Sequence, residues 1–265
     1  MKAKLFVTDM DGTLLNSQRQ LTVGVKTAIR KAVDAGVIFT VATGRMHVSA
    51  LPYVKELGLD FPIITYNGAL IKSVSGEELF SSYLDEEIVK SLLKYAQERH
   101  LHIQLYNDDK LYFREESPEA AFYQQAAGVK GQAVGDRLYE YVHKVPKMLI
   151  VADTPQNADV LVQDIGARFA GKVEALKSTD VYIELIKPGI NKASAIARLT
   201  ELYNIPKEAV LAIGDSNNDI TMIKAAQYGV AMGNANETVK KVAKYQVADC
   251  NHDGIAEAIQ RFCLE

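Results

Sequence analysis

Five times along this chain a short apolar run stops abruptly at polar or glycine-containing residues, at positions 5–7, 37–42, 61–65, 209–213 and 230–232. Runs of this kind read as strands buried on both faces of a parallel sheet. The segments between them carry helical spacing. Val25, Ala28, Ile29, Ala32 and Val33 follow Thr22, which is predicted to be an N-cap, and Gly36 suits the C′ position. A second helix is predicted over 48–57. Asn191 is placed to cap another, running to Tyr203 with Ile196, Leu199 and Leu202 as its apolar face. Met222, Ala225 and Ala226 pack a helix behind the fourth strand. Two helices close the chain, the last capped by Asp253 with Ile255, Ala258, Ile259 and Phe262 turned inward. Strand–helix alternation of this kind predicts an α/β core.

From residue 83 to 187 the pattern changes. Ile88, Leu92, Leu93, Tyr95 and Ala96 predict a helix, and alternating strands follow at 101–106 and 110–114 around an Asn107-Asp108-Asp109 turn. A helix at 118–127, a strand at 147–152, a helix at 158–169 and strands at 173–176 and 181–186 complete the stretch. The order helix–strand–strand thus occurs twice. Hairpins backed by helices over about 100 residues predict an inserted α+β domain and not a loop. The chain then divides into 1–82 with 188–265, and 83–187. Tyr95, Tyr106, Tyr112, Tyr123, Tyr139 and Tyr141 all fall in the insertion. Their rings either pack against its own helices or leave one or two to line a pocket.

Composition narrows the function classes. A net charge of -3 carries no basic excess that would point to nucleic acid. No stretch approaches the ~20 apolar residues that span a bilayer, and acidic residues follow the first run too soon for a secretory signal. A cytoplasmic protein acting on small molecules is expected, with no nucleic acid, membrane or obligate protein partner. Cys250 and Cys263 predict reduced thiols and no disulfide framework. His100 and His102 lack zinc-ligand spacing and decorate a strand start.

Candidate chemistry gathers where the strands end, and in open α/β sheets ligands bind beyond those ends. Asp9 and Asp11 follow the first strand, two residues apart. At roughly 5 Å and an effective dielectric of about 20, two such carboxylates repel by about 3 kcal/mol. A cation or a shared proton is therefore expected beside them. Thr43 offers a hydroxyl and Gly44 a closely approachable N–H at the end of the second strand. Lys192 stands in the first turn of its helix, where the dipole already supplies positive charge. That placement makes sense if an anion sits there. Gly214 to Asp219, GDSNND, adds a further carboxylate cluster at a strand end.

Read together, KLFVTDMDGTLL at 4–15, Thr43, Lys192 and GDSNND at 214–219 stand in the order of four motifs of the haloacid dehalogenase superfamily of phosphatases and phosphotransferases. The chain resembles that superfamily over its whole length, most specifically its Cof-like, type IIB branch. The resemblance implies a Rossmann-like parallel-sheet core with an inserted α+β cap that selects the substrate. It implies Mg²⁺-dependent hydrolysis of small phosphate monoesters, sugar phosphates or related metabolites, through an aspartyl phosphate. Asp9 would be the nucleophile and Asp11 the general acid/base. The Asp9 and Asp215 carboxylates and the Asp11 main-chain carbonyl would hold Mg²⁺. The Met10 N–H, Thr43, Gly44, Lys192 and Asn218 would surround the phosphoryl group, and Asp219 would fix Lys192 or a metal-bound water. The string Asn67-Gly68-Ala69 recurs in one branch, which makes Asn67 a candidate substrate contact. Two other readings stay open at this point. A sugar phosphomutase would use the same residues, and a phospho-accepting signalling domain also gathers Asp, Thr and Lys but gives no reason for the insertion.

Overall fold

The structure, a computed structural model, describes residues 2–265. It divides into two compact units, one made of residues up to Gly44, Ala50–Leu79 and Asn191–Glu265, the other of Arg45–Ser49 and Phe80–Ile190. Among the described residues no helix is long and apolar enough to cross a membrane.

The first unit opens with β1 (Leu5–Thr8), α1 (Val23–Asp34), β2 (Ile38–Val41) and α2 (His47–Glu56). Thr22 caps α1, its hydroxyl accepting from the Val25 N–H. Val25, Ile29 and Ala32 fill the buried stripe of that helix, and Val33, beyond its edge, is exposed. The third run narrows to β3 (Ile63–Thr65), which is joined to the parallel set by an Ala42–Ile64 bridge. It then turns back into β4 (Leu70–Lys72) and β5 (Glu78–Ser81), a small sheet that the sequence reading missed.

The inserted unit holds α3 (Glu86–Glu98), β6 (His102–Asn107), β7 (Lys110–Phe113), α4 (Pro118–Ala127), β8 (Gly131–Ala133), β9 (Met148–Val151), α5 (Pro155–Arg168), β10 (Glu174–Lys177) and β11 (Tyr182–Ile186). Its strands form one sheet in the order β10-β11-β9-β6-β7-β8. Side chains alternate across a strand. Ile103, Leu105, Met148, Ile150, Ile183 and Leu185 accordingly join Leu92, Ala96, Leu161 and Ile165 of α3 and α5 in one apolar cluster. Tyr95 and Tyr112 belong to that cluster, and Tyr141 stacks on Tyr112. Gln104, Tyr106 and Glu184 alternate with the cluster residues, yet they too are buried.

The chain returns through α6 (Lys192–Leu202), β12 (Val210–Gly214), α7 (Ile220–Ala225), β13 (Tyr228–Ala231), α8 (Glu237–Val242), β14 (Tyr245–Gln246) and α9 (Gly254–Ile259). The main sheet is parallel throughout, ordered β14-β13-β12-β1-β2. β1 is flanked by β2 on one side and β12 on the other, so the winding direction reverses beside it. The carboxyl ends of β1 and β12 are the switch point where such sheets bind ligands. Leu202 and Ala225 are exposed, because α6 is buried through Ala195, Ile196 and Leu199 and α7 through Met222 and Ile223. Asp253 precedes α9 but makes no side-chain cap: its carboxylate accepts from the Thr22 hydroxyl at 2.5 Å, tying the start of α1 to the start of α9. Phe262 is half-buried against Tyr228 and Tyr245. Both cysteines are free and buried.

Candidate active site

Every catalytic, metal-site and phosphate-site candidate named from the sequence lies in the first unit, as does Asn67. Asp9 stands one residue beyond β1, Asp215 one beyond β12, and Lys192 opens α6. The α6 terminus is fixed by a reciprocal cap: the Asn191 side chain accepts from the Ser194 N–H, and Ser194 Oγ accepts from the Asn191 N–H. Lys192 is thus held at a set height and is fully buried. Its Nζ lies 2.5 Å from Asp9 Oδ1 and 2.6 Å from Asp219 Oδ1. The second oxygen of Asp219 accepts from the main-chain N–H groups of Asp215 and Ser216, at 3.0 and 2.9 Å. Asp219 is therefore fully engaged in holding Lys192 and the β12 loop.

Asp215 receives two hydroxyls, Thr13 Oγ on one oxygen at 2.7 Å and Ser216 Oγ on the other at 3.1 Å. Thr13 is the part of the first motif whose partner the sequence did not disclose. Gly12 sits at φ +73°, and a Cβ there would lie 2.7 Å from Asp215 Oδ2, so both backbone and space require glycine. Asn234, beyond β13, donates to the Gly12 carbonyl at 2.8 Å. Sequence reading missed it, although its place after a strand end was the available signal. Asp11 is exposed beside this turn, and Met10 is buried.

A second group adjoins the first. Thr43 is buried, its carbonyl accepting from the Asn67 N–H at 3.0 Å. Asn218 Nδ2 donates to Asn67 Oδ1, also at 3.0 Å. Asn67 itself is buried in a left-handed conformation at φ 55°.

The electrostatics follow from burial. Burial lifts the Asp9 carboxyl well above its usual range, Lys192 opposing and the charges of Asp219, Asp215 and Asp11 adding to the lift. Asp215 is pushed up to about 6, again by burial first, with the Thr13 hydroxyl pulling the other way. Burial alone would lower the Lys192 ammonium, but Asp219 and Asp9 more than offset it and keep it protonated. Carboxylate oxygens of Asp9, Asp215 and Asp219 lie within 4.8 Å of one another. Three carboxylates against one ammonium leave surplus negative charge, and hard oxygen donors of this kind fit a divalent cation.

The profile of haloacid dehalogenase-like hydrolases matches residues 6–259. A putative phosphatase of Bacillus subtilis, YxeH, is 31% identical, the match covering 98% of each chain. The 5-amino-6-(5-phospho-D-ribitylamino)uracil phosphatase YitU of the same organism is 28% identical, again over 98% of each. A haloacid dehalogenase-like hydrolase from Bacteroides thetaiotaomicron superposes with a TM-score of 0.89 at 33% identity, over 98% of this chain and 99% of that one. The chain belongs to the haloacid dehalogenase-like hydrolases and is a phosphatase.

Proposed function

We propose that this phosphatase hydrolyses small sugar or polyol phosphates with Mg²⁺, through a covalent phosphate on Asp9. The observation that carries the reading is Lys192 bridging Asp9 and Asp219 at the switch point of the sheet. Holding one oxygen of Asp9, Lys192 sets the rotation of the carboxylate and leaves the other oxygen to attack. That oxygen forms a bond to phosphorus as the bond from phosphorus to the ester oxygen breaks, and Asp11 gives the departing oxygen its proton. A water then attacks phosphorus and returns a proton to Asp11 as the Asp9–phosphate bond breaks. Thr43, Gly44, the Met10 N–H, Asn218 and Lys192 surround the phosphoryl oxygens, so catalysis rests on positioning and charge neutralisation. Asp9, Asp215 and the Asp11 carbonyl would hold Mg²⁺, which when bound neutralises charge on the phosphoryl oxygens. Asp219, already committed to Lys192 and two N–H groups, stands outside that set.

Segments 1–82 and 188–265 carry this chemistry, and 83–187 selects the leaving group. Support for the second role is the buried polar layer of the inserted sheet. Lys147 Nζ lies 2.6 Å from Glu184 Oε2 and 5.0 Å from the centre of the Tyr106 ring. Gln104 Nε2 donates to the Tyr106 hydroxyl at 2.8 Å, which donates to the Tyr123 hydroxyl at 2.6 Å. Apolar residues would stabilise such a face at least as well, whereas carboxylate, ammonium, amide and phenol suit a hydroxyl-rich ligand. The phosphorylated ribityl compound in the name of YitU supports a polyol phosphate.

A panel of sugar, polyol, nucleotide and cofactor phosphates, assayed for phosphate release with Mg²⁺ and with EDTA, tests the reading. Mg²⁺-dependent release from a sugar or polyol phosphate, lost in Asp9→Asn, is expected. Turnover by Asp9→Asn within about tenfold of the unchanged chain overturns the covalent mechanism, because that is only ~1.4 kcal/mol of barrier.

A further inference from the structure

We infer that the Tyr66–Gly68 turn is the positioning device of the phosphate site, acting through Asn218, Thr43 and the start of α6; the inference rests on the phosphatase reading. Two consecutive non-glycine residues, Tyr66 at φ 51° and Asn67 at φ 55°, are left-handed here, and both are buried. Non-glycine residues are strained in this conformation, and that strain persists only where the surroundings over-determine it. Asn67 is over-determined on two sides. Its N–H donates to the Thr43 carbonyl at 3.0 Å, and its Oδ1 accepts from Asn218 Nδ2 at 3.0 Å. One N–H of the Asn218 amide is thereby fixed in direction, and the other is fixed with it. Gly68, at φ +104°, supplies the third side. A Cβ there would lie 2.3 Å from the carbonyl oxygen of Asn191, the residue that caps the helix of Lys192. One three-residue turn thus abuts the β2 strand end, the GDSNND loop and the α6 terminus, each of which carries a donor toward the phosphoryl group. Asn67 needs no contact with substrate to do this; it is a positioning residue.

The test separates backbone from amide. Glycine takes φ 55° without strain, so Asn67→Gly keeps the turn and removes only the side chain. The expected result is an unchanged thermal midpoint. The kcat/KM for an aryl phosphate falls about 10- to 100-fold, the scale of a misplaced positioning group, and inhibition by orthophosphate weakens in step. Asn218→Ala should lose a similar factor, and the double variant no more than about twofold beyond it, since the two amides act as one. Wild-type kcat/KM in Asn67→Gly, or losses that multiply in the double variant, overturn the inference. A purely structural role for Asn67 predicts the first of those outcomes.

If the unchanged chain releases no phosphate from any ester, the phosphatase reading fails and the coupling is read directly. The Asn218 side-chain N–H pair in nitrogen-15 correlated spectra, identified by its loss in Asn218→Ala, is expected to shift in Asn67→Gly. An unmoved pair overturns the coupling on its own.

Discussion

Lys192 Nζ stands 2.5 Å from Asp9 Oδ1 across 183 residues of sequence, with neither side chain more than 8% exposed. An ammonium with no route to water is tolerable only because two carboxylates face it. Asp219 supplies the second, and its other oxygen is anchored by main-chain N–H groups. The lysine is consequently a structural cross-tie as well as, in the proposed mechanism, a donor toward the phosphoryl group.

Lys192→Met should therefore damage both fold and activity. Removing one partner of a buried ion pair typically costs about 3–5 kcal/mol, because the remaining charge is stranded. A lowered calorimetric midpoint, with turnover reduced by about 100-fold or more, is expected. A variant that keeps wild-type stability and loses only activity would remove the cross-tie from the account.

Asp11→Asn should act chiefly on proton transfer, since Asp11 is exposed and outside the buried cluster, its charge adding less than those of Asp219 and Asp215 to the lift on Asp9. A single general acid/base contributes about 10²–10⁴-fold. In single-turnover kinetics an activated aryl phosphate, whose leaving group needs little protonation, should rescue the first step more than the second. Equal losses in both steps would mean that Asp11 serves the metal site and not the proton.

Glu184→Gln tests the selecting role of the inserted sheet. It weakens the pairing with Lys147 and leaves an amide where Ser178 Oγ now donates to Oε1 at 2.9 Å. The kcat/KM for the preferred sugar or polyol phosphate should fall by about 1–3 kcal/mol, with a small aryl phosphate nearly untouched. Proportional losses on both substrates would make this polar layer a structural one.

His102 gives the inserted unit an acid-sensitive element. Burial holds its imidazole below the usual range, against the pull of Gln104, Glu119 and Glu116. The unfolded chain then binds more protons between the folded value and the unfolded value of ~6.5. Stability is lost as pH falls through that window and levels off below the folded value. Tm measured against pH for the unchanged chain and His102→Gln should show the variant gaining relative stability on acidification. Parallel curves would exclude the histidine as the source.

How far the sequence foretold this arrangement depends on the size of the signal. The strand ends bearing Asp9, Thr43 and Asp215 were legible because buried parallel strands are nearly continuous apolar runs, and carboxylates after them stand out. Lys192 was legible because a cation in the first turn of a helix is electrostatically misplaced. Val33, Leu202 and Ala225 misled because helical spacing does not say where a buried stripe ends. β4, β8 and β14, of two or three residues, are too short to express a period at all. Asp253 stands where a cap belongs, yet its carboxylate is taken by Thr22, a partner 231 residues away that no local pattern reveals. The Thr13–Asp215 bond and the tie between Asn67 and Asn218 were hidden for the same reason: local strings show donors and acceptors, and only the topology pairs them.

The order of strands in the main sheet also sets how late in synthesis that sheet can be completed. Leu5 pairs with Ile38 on one side and with Val210 on the other, so β1 has a single neighbour until the last third of the chain is made. The inserted unit, with its own apolar cluster, ends at Ile190, ahead of β12 at Val210, and can fold as a body during synthesis. A compact insertion also closes the long gap between β2 and β12 at less entropic cost than a flexible chain of the same length. The nascent polypeptide thus carries the DMDGT string for most of its elongation without Lys192 or Asp219 to complete it. In the proposed mechanism the chemistry therefore waits for both, and a fragment ending before Asp219 keeps Asp9 without its full ion-pair network.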